Sequence, residues 1–134
     1  MPEEEHFTLN DELIYALYHD ENADCIRALL AAGADANADD GYSTALHLAV
    51  EQNAPDIVQL LIESGARLNP LNEHGWTPLR CAADESRVEC VRLLLEAGAD
   101  PRQATTDGDT AYTFAEDSDN TLALNLFREY TRHA

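Results

Sequence analysis

The run Asp35-Ala36-Asn37-Ala38-Asp39-Asp40-Gly41 is the first place in this chain where oxygen-bearing side chains stand at a spacing that could hold a metal ion. Ligands at alternate positions open a calcium loop of the EF-hand type, but that loop also needs glycine at its sixth place and glutamate at its twelfth. Those places hold Asp40 and Leu46, so the run reads as a polar turn and no metal is expected. His6, His19, His47, His74 and His133 stand singly, without the i, i+4 pairing that turns two imidazoles toward one zinc. Cys25, Cys81 and Cys90 form neither an even set nor a C-x-x-C pair. They are expected to be buried thiols that pack as small apolar groups, not disulfides or nucleophiles. There is no Gly-rich phosphate loop, no G-x-S-x-G elbow and no nucleophile-and-base pattern, and the pair Asp84 and Glu85 looks like a solvated helix end. The expectation is a protein that is not an enzyme and carries no cofactor.

Charge narrows the partners. Twenty-six acidic residues face 8 basic ones, all arginine, for a formal net charge of -18. A surface of that sign repels phosphate backbones and anionic headgroups, so neither nucleic acid nor membrane is an expected ligand. The same acidity also fits plain solubility or a high-salt cytoplasm. The opening Met1-Pro2-Glu3-Glu4-Glu5-His6 lacks the basic head and apolar middle of a secretion signal, and no stretch reaches membrane-spanning length, so a cytoplasmic location is expected. The length of 134 residues and 45% hydrophobic content fit one domain with a substantial core.

The elements that must position any site are announced by repetition. Gly33-Ala34-Asp35-Ala36-Asn37, Gly65-Ala66-Arg67-Leu68-Asn69 and Gly98-Ala99-Asp100 are one phrase written three times, the glycines 32 and then 33 residues apart. A second phrase recurs in register: Ser43-Thr44-Ala45-Leu46-His47-Leu48-Ala49, Trp76-Thr77-Pro78-Leu79-Arg80-Cys81-Ala82 and Asp109-Thr110-Ala111-Tyr112-Thr113-Phe114-Ala115, with threonines 33 apart. A period near 33 with a T-P-L-H-x-A phrase is the signature of ankyrin repeats, and the chain resembles that family. The resemblance implies an all-α solenoid, a stack of helix-turn-helix units with β-turn or hairpin tips.

The expected organisation is an acidic, mobile segment 1–10 and a single repeat domain 11–134, divided near 11–38, 39–70, 71–102 and 103–134, with divergent end units. Asp11 is expected to cap the first helix, and Pro55 and Pro78 to open later ones. Ile26 and Leu29, Val58 and Leu61, Val91 and Leu94, Leu124 and Phe127 fall at equivalent helical places and are read as core. Asn53, Ser86 and Asp119 occupy the turn between paired helices, where the family usually has glycine. Gly41 stands three places before its threonine while Gly75 and Gly108 stand two before theirs, so the first tip is expected to differ.

By the same resemblance, contacts come from the tips and the exposed ends of the first helices, which line a concave groove. Transferred residue by residue, this marks Tyr42, Ser43, Glu73, His74, Trp76, Asp107 and Asp109 on tips, and Glu51, Gln52, Asp84, Glu85 and Asp117 on helix ends. Asp39, Asp40, His19, Asp20 and Ser118 border them. Trp76, the single tryptophan, reads as a partner anchor or as a brace against the next tip. The expected function is a monomeric, non-catalytic module that binds a basic protein surface. Two alternatives remain open: an inhibitor or immunity-type protein masking a nucleic-acid-processing enzyme, and a structural scaffold whose acidity is only solvation.

Overall fold

The computed structural model describes residues 7–19, 22–84 and 87–132. Eight helices are present among them, in four pairs: α1 (Leu9–Tyr18) with α2 (Ala23–Ala31), α3 (Ala45–Glu51) with α4 (Pro55–Glu63), α5 (Pro78–Asp84) with α6 (Val88–Ala97), and α7 (Ala111–Asp117) with α8 (Thr121–Arg132). The first helices pack in one row, α1 on α3 on α5 on α7, and the second helices in another, α2 on α4 on α6 on α8. This is an all-α repeat solenoid. No strand occurs among the described residues, and the tips close through turns and one bridge between Asp39 and Thr44.

Local chemistry sets the helix starts. Thr8, Thr44 and Thr110 cap their helices with the side-chain oxygen, each in a reciprocal capping box with the residue three places on. For α1 this corrects the expected cap: Asp11 lies inside the first turn and its carboxylate accepts from the Thr8 N–H at 2.9 Å. The helix therefore begins at Leu9, ahead of the expected boundary at 11, while residues 1–6 lie outside the described part. Pro55 and Pro78 do stand at helix starts. Asn53 and Asp119 adopt the left-handed conformation with φ of 53° and 55°, as short polar side chains tolerate. Ser86 lies outside the described residues.

The core forms between rows. Ile26, Val58, Leu61, Val91, Leu94 and Phe127 are essentially inaccessible. Leu29 and Leu124, expected in the same core, are only partly buried. They belong to the first and last units, each of which has a neighbour on one side alone.

Polar side chains tie the units along the loops. Asn10 Oδ1 accepts from Asp35 N (2.8 Å), Asn37 Oδ1 from Arg67 N (2.7 Å) and Asn69 Oδ1 from Asp100 N (3.3 Å). Asn37, the middle of the calcium-like run, is thus a rung of this ladder, and Asp35 and Asp39 accept from the N–H groups of Asn37 and Gly41. The tips are linked by backbone: Glu73 N donates to Tyr42 O at 2.6 Å, and, 33 residues on, Thr106 N donates to Gly75 O at 3.0 Å. The first tip does close differently, by Asp40 N to Ser43 O, whereas the others close by Asn72 N to Trp76 O and Thr105 N to Asp109 O.

Candidate functional site

Buried polar bonds hold the tips against the ends of the first helices. His47, fully buried, donates from Nε2 to the Trp76 carbonyl at 2.8 Å. A carbonyl can only accept, so Nε2 carries the proton and Nδ1 accepts from the Thr44 hydroxyl at 2.8 Å. Burial pushes the His47 pKa down, against the opposing pull of the Trp76 carbonyl, so a neutral ring pins the third tip to the second unit. The irregularity expected from the phrase is real: at the equivalent place Thr113 turns back to its own cap, donating to Thr110 O at 3.0 Å.

Arg80, the third occupant of that place, does something else. Its guanidinium carbon lies 3.8 Å from the centre of the Trp76 ring and 3.7 Å from that of Phe114. Sandwiched this way, the side chain is 12% exposed, with Nη1 3.8 Å from Asp84 Oδ1. Stacking of a weakly hydrated planar cation on aromatic faces stabilises such a position. Trp76 is accordingly half-buried, joins the third unit to the fourth, and acts as a brace; it also lines the groove.

Two shallow depressions run along the tips. One, of about 370 Å³, is lined by Tyr18, Tyr42, Ser43, Glu51, Asn72, Glu73 and His74. The next, of about 240 Å³, is lined by Glu51, Asn72, His74, Trp76, Cys81 and Asp84. Seven of the expected site residues are therefore brought together: Tyr42, Ser43, Glu51, Glu73, His74, Trp76 and Asp84. Gln52 caps the C-terminal end of α3 on the surface. Asp107, Asp109 and Asp117 are exposed on the fourth unit and line neither depression. Glu85 and Asp20 lie outside the described residues.

Tyr18 is a wall of the larger depression that the residue transfer missed. It stands 33 residues before Glu51, which stands 33 before Asp84 and again 33 before Asp117, so the repeat period itself identifies it. Its hydroxyl donates to Asp40, which also accepts from the N–H groups of Tyr42 (2.8 Å) and Ser43 (2.7 Å). Burial pushes the Asp40 carboxyl up, but these donors outweigh it and hold the group below the usual carboxylate range. The same hydrogen bond, with burial and nearby carboxylates, pushes the Tyr18 phenol up to about 12. At Asp107 the Thr105 hydroxyl and the Asp109 N–H keep the carboxyl low.

The groove's ionised equipment is thus mainly carboxylate. Cys81 Sγ accepts from Asn72 Nδ2 at 3.6 Å, and burial pushes the Cys90 thiol up to about 11, which makes it a poor nucleophile. Among the described residues, no three or more His, Cys, Asp or Glu side chains converge as metal ligands would. Among those residues no helix is long and apolar enough to cross a membrane.

A family profile described as "Ankyrin repeats (3 copies)" matches residues 13–105. The chain is 35% identical over 108 residues to the E3 ubiquitin-protein ligase KEG of Arabidopsis thaliana, which covers 79% of this chain and 7% of the plant protein. It is 46% identical over 56 residues to the mouse ankyrin repeat and SOCS box protein 16, covering 42% of this chain and 12% of that one. With the chicken nuclear factor NF-kappa-B p105 subunit it shares 48% identity over 58 residues, or 41% of this chain and 6% of the relative. The chain therefore spans a small fraction of each of these relatives. With tips and helix pairs recurring on a 33-residue period and a profile match over well over half its length, the chain belongs to the ankyrin repeat family.

Proposed function

We propose that this chain is a non-catalytic protein-binding module that takes a basic protein surface into its acidic groove. Ankyrin repeats generally mediate protein–protein interaction, and the family is typically non-catalytic. The observation that carries the finer reading is the segregation of charge. Tips and first-helix ends hold Asp39, Asp40, Glu51, Glu73, Asp84, Asp107, Asp109 and Asp117, whereas Arg27, Arg92 and Arg128 lie on second helices and Arg67 and Arg102 on the loops that follow them. Arg80, the arginine that does enter the groove, is held between two rings. A one-signed trough speeds encounter with an oppositely charged partner and rejects like-charged ones. A monomer in the cytoplasm, with no nucleic acid or membrane as ligand, fits this reading.

The test is affinity capture from a native lysate, eluted with rising salt and identified by mass spectrometry. Basic proteins that elute as salt rises, and that a Glu51→Gln, Glu73→Gln, Asp84→Asn triple variant fails to retain, are expected. Captured proteins that are neutral or acidic, or that the triple variant holds equally well, would refute it.

A further inference from the structure

We infer that the larger depression, between the second and third tips, is the seat of an arginine side chain of the bound partner; this deepens the groove reading and rests on it. Tyr18 and Tyr42 are 51% and 62% exposed there, so the core does not account for their positions. Both are nevertheless fixed. Asp40 takes the Tyr18 hydroxyl and the Tyr42 N–H, while the Tyr42 carbonyl accepts from Glu73 N at 2.6 Å. Aromatic walls held in place before anything binds lose little freedom on binding.

The remaining polar lining selects the charge of the guest. Glu51 and Glu73 supply carboxylates. Asn72, between them, already spends its oxygen on the His74 and Trp76 N–H groups and its nitrogen on Cys81 Sγ. A cation that can stack on a ring and present several donors to carboxylates meets both features, and the guanidinium does this better than a compact, strongly hydrated ammonium. The chain uses the same pairing internally, Arg80 between Trp76 and Phe114, and Arg102 4.5 Å from the centre of the Tyr112 ring. At about 370 Å³ and open to solvent, the depression suits one long side chain.

The probes are end-blocked hexa-arginine and hexa-lysine peptides, titrated at low salt by calorimetry and by amide chemical shifts. Hexa-arginine is expected to bind about five-fold more tightly or better, with shifts centred on Tyr42, Glu73 and His74. Tyr42→Ala and Glu73→Gln are each expected to bring the two affinities together, while Tyr42→Phe keeps the preference. Equal affinities in the natural sequence, or a preference that survives both Tyr42→Ala and Glu73→Gln, would overturn the arginine seat and leave the acidic groove standing. Failure of both peptides to bind would defeat the groove reading as well.

Discussion

Replacing Gly75 by alanine tests whether the close approach of successive tips is part of what holds this stack together. Gly75 has φ of 77°, and a Cβ there would lie 2.2 Å from Thr106 Oγ1, 2.4 Å from Thr106 Cβ and 3.1 Å from the Thr106 backbone nitrogen. Real Cβ atoms do not come that near, so the third and fourth units must shift apart. The backbone conformation alone costs a residue with a Cβ about 1–2 kcal/mol. Displacing Thr106 also lengthens its N–H bond to the Gly75 carbonyl, and a broken, poorly hydrated bond adds about 1–3 kcal/mol. Gly108, one repeat on, supplies the control: its φ is 92° and nothing lies within 4 Å of an added Cβ. Gly108→Ala is therefore expected to cost about 1–2 kcal/mol and Gly75→Ala about 2–5 kcal/mol. Urea unfolding followed by circular dichroism measures both, and hydrogen exchange at the Thr106 amide reports the bond directly. Thr106→Gly removes the two nearest atoms and should recover part of the loss in the Gly75→Ala background. Equal costs for the two glycines, with Thr106 still protected, would refute the argument.

Two further substitutions probe the core and its buried histidine. Leu94→Ala opens a cavity at a fully buried place between α4, α6 and α8 and should lower unfolding free energy by about 2–5 kcal/mol in the same denaturation assay; a neutral result would mean that the packing register is wrong. For His47, burial lowers the folded pKa below the 6.5 of a free imidazole, so the unfolded chain binds the proton more readily. Its contribution is complete above that value and fades as pH falls from there toward the lowered folded pKa, by at most about 1.4 kcal/mol per pH unit. The difference in stability between the natural sequence and His47→Gln should accordingly shrink between pH 7.5 and 5.5, and a constant or growing gap would contradict the neutral-ring assignment.

Several features were readable because their causes are local. Threonine, asparagine and proline act on the first turn of a helix, and aspartate and asparagine accept a left-handed turn, whatever the rest of the chain does. The misses share another cause. Asp11 was read as a cap because it precedes the apolar run, but the competing Thr8 offered a capping box with Asp11 itself. Leu29 and Leu124 obeyed the helical spacing yet lack a second neighbour. Tyr18 was passed over because the helix end was judged from nearby polar residues, although the 33-residue period places it with Glu51.

The order of helices, the number of units and the sign of the groove's charge were all present in the linear chain, since each rests on spacing within a repeat or on composition. Only the stacked structure decided which side chains meet across units. Tyr18 bonds Asp40 from 22 residues away, Arg80 lies on Phe114 from the next unit, and Thr106 presses on Gly75. Those meetings depend on the pitch at which one helix pair settles on the last. That pitch is a compromise of packing over the whole interface, so no single stretch of residues contains it.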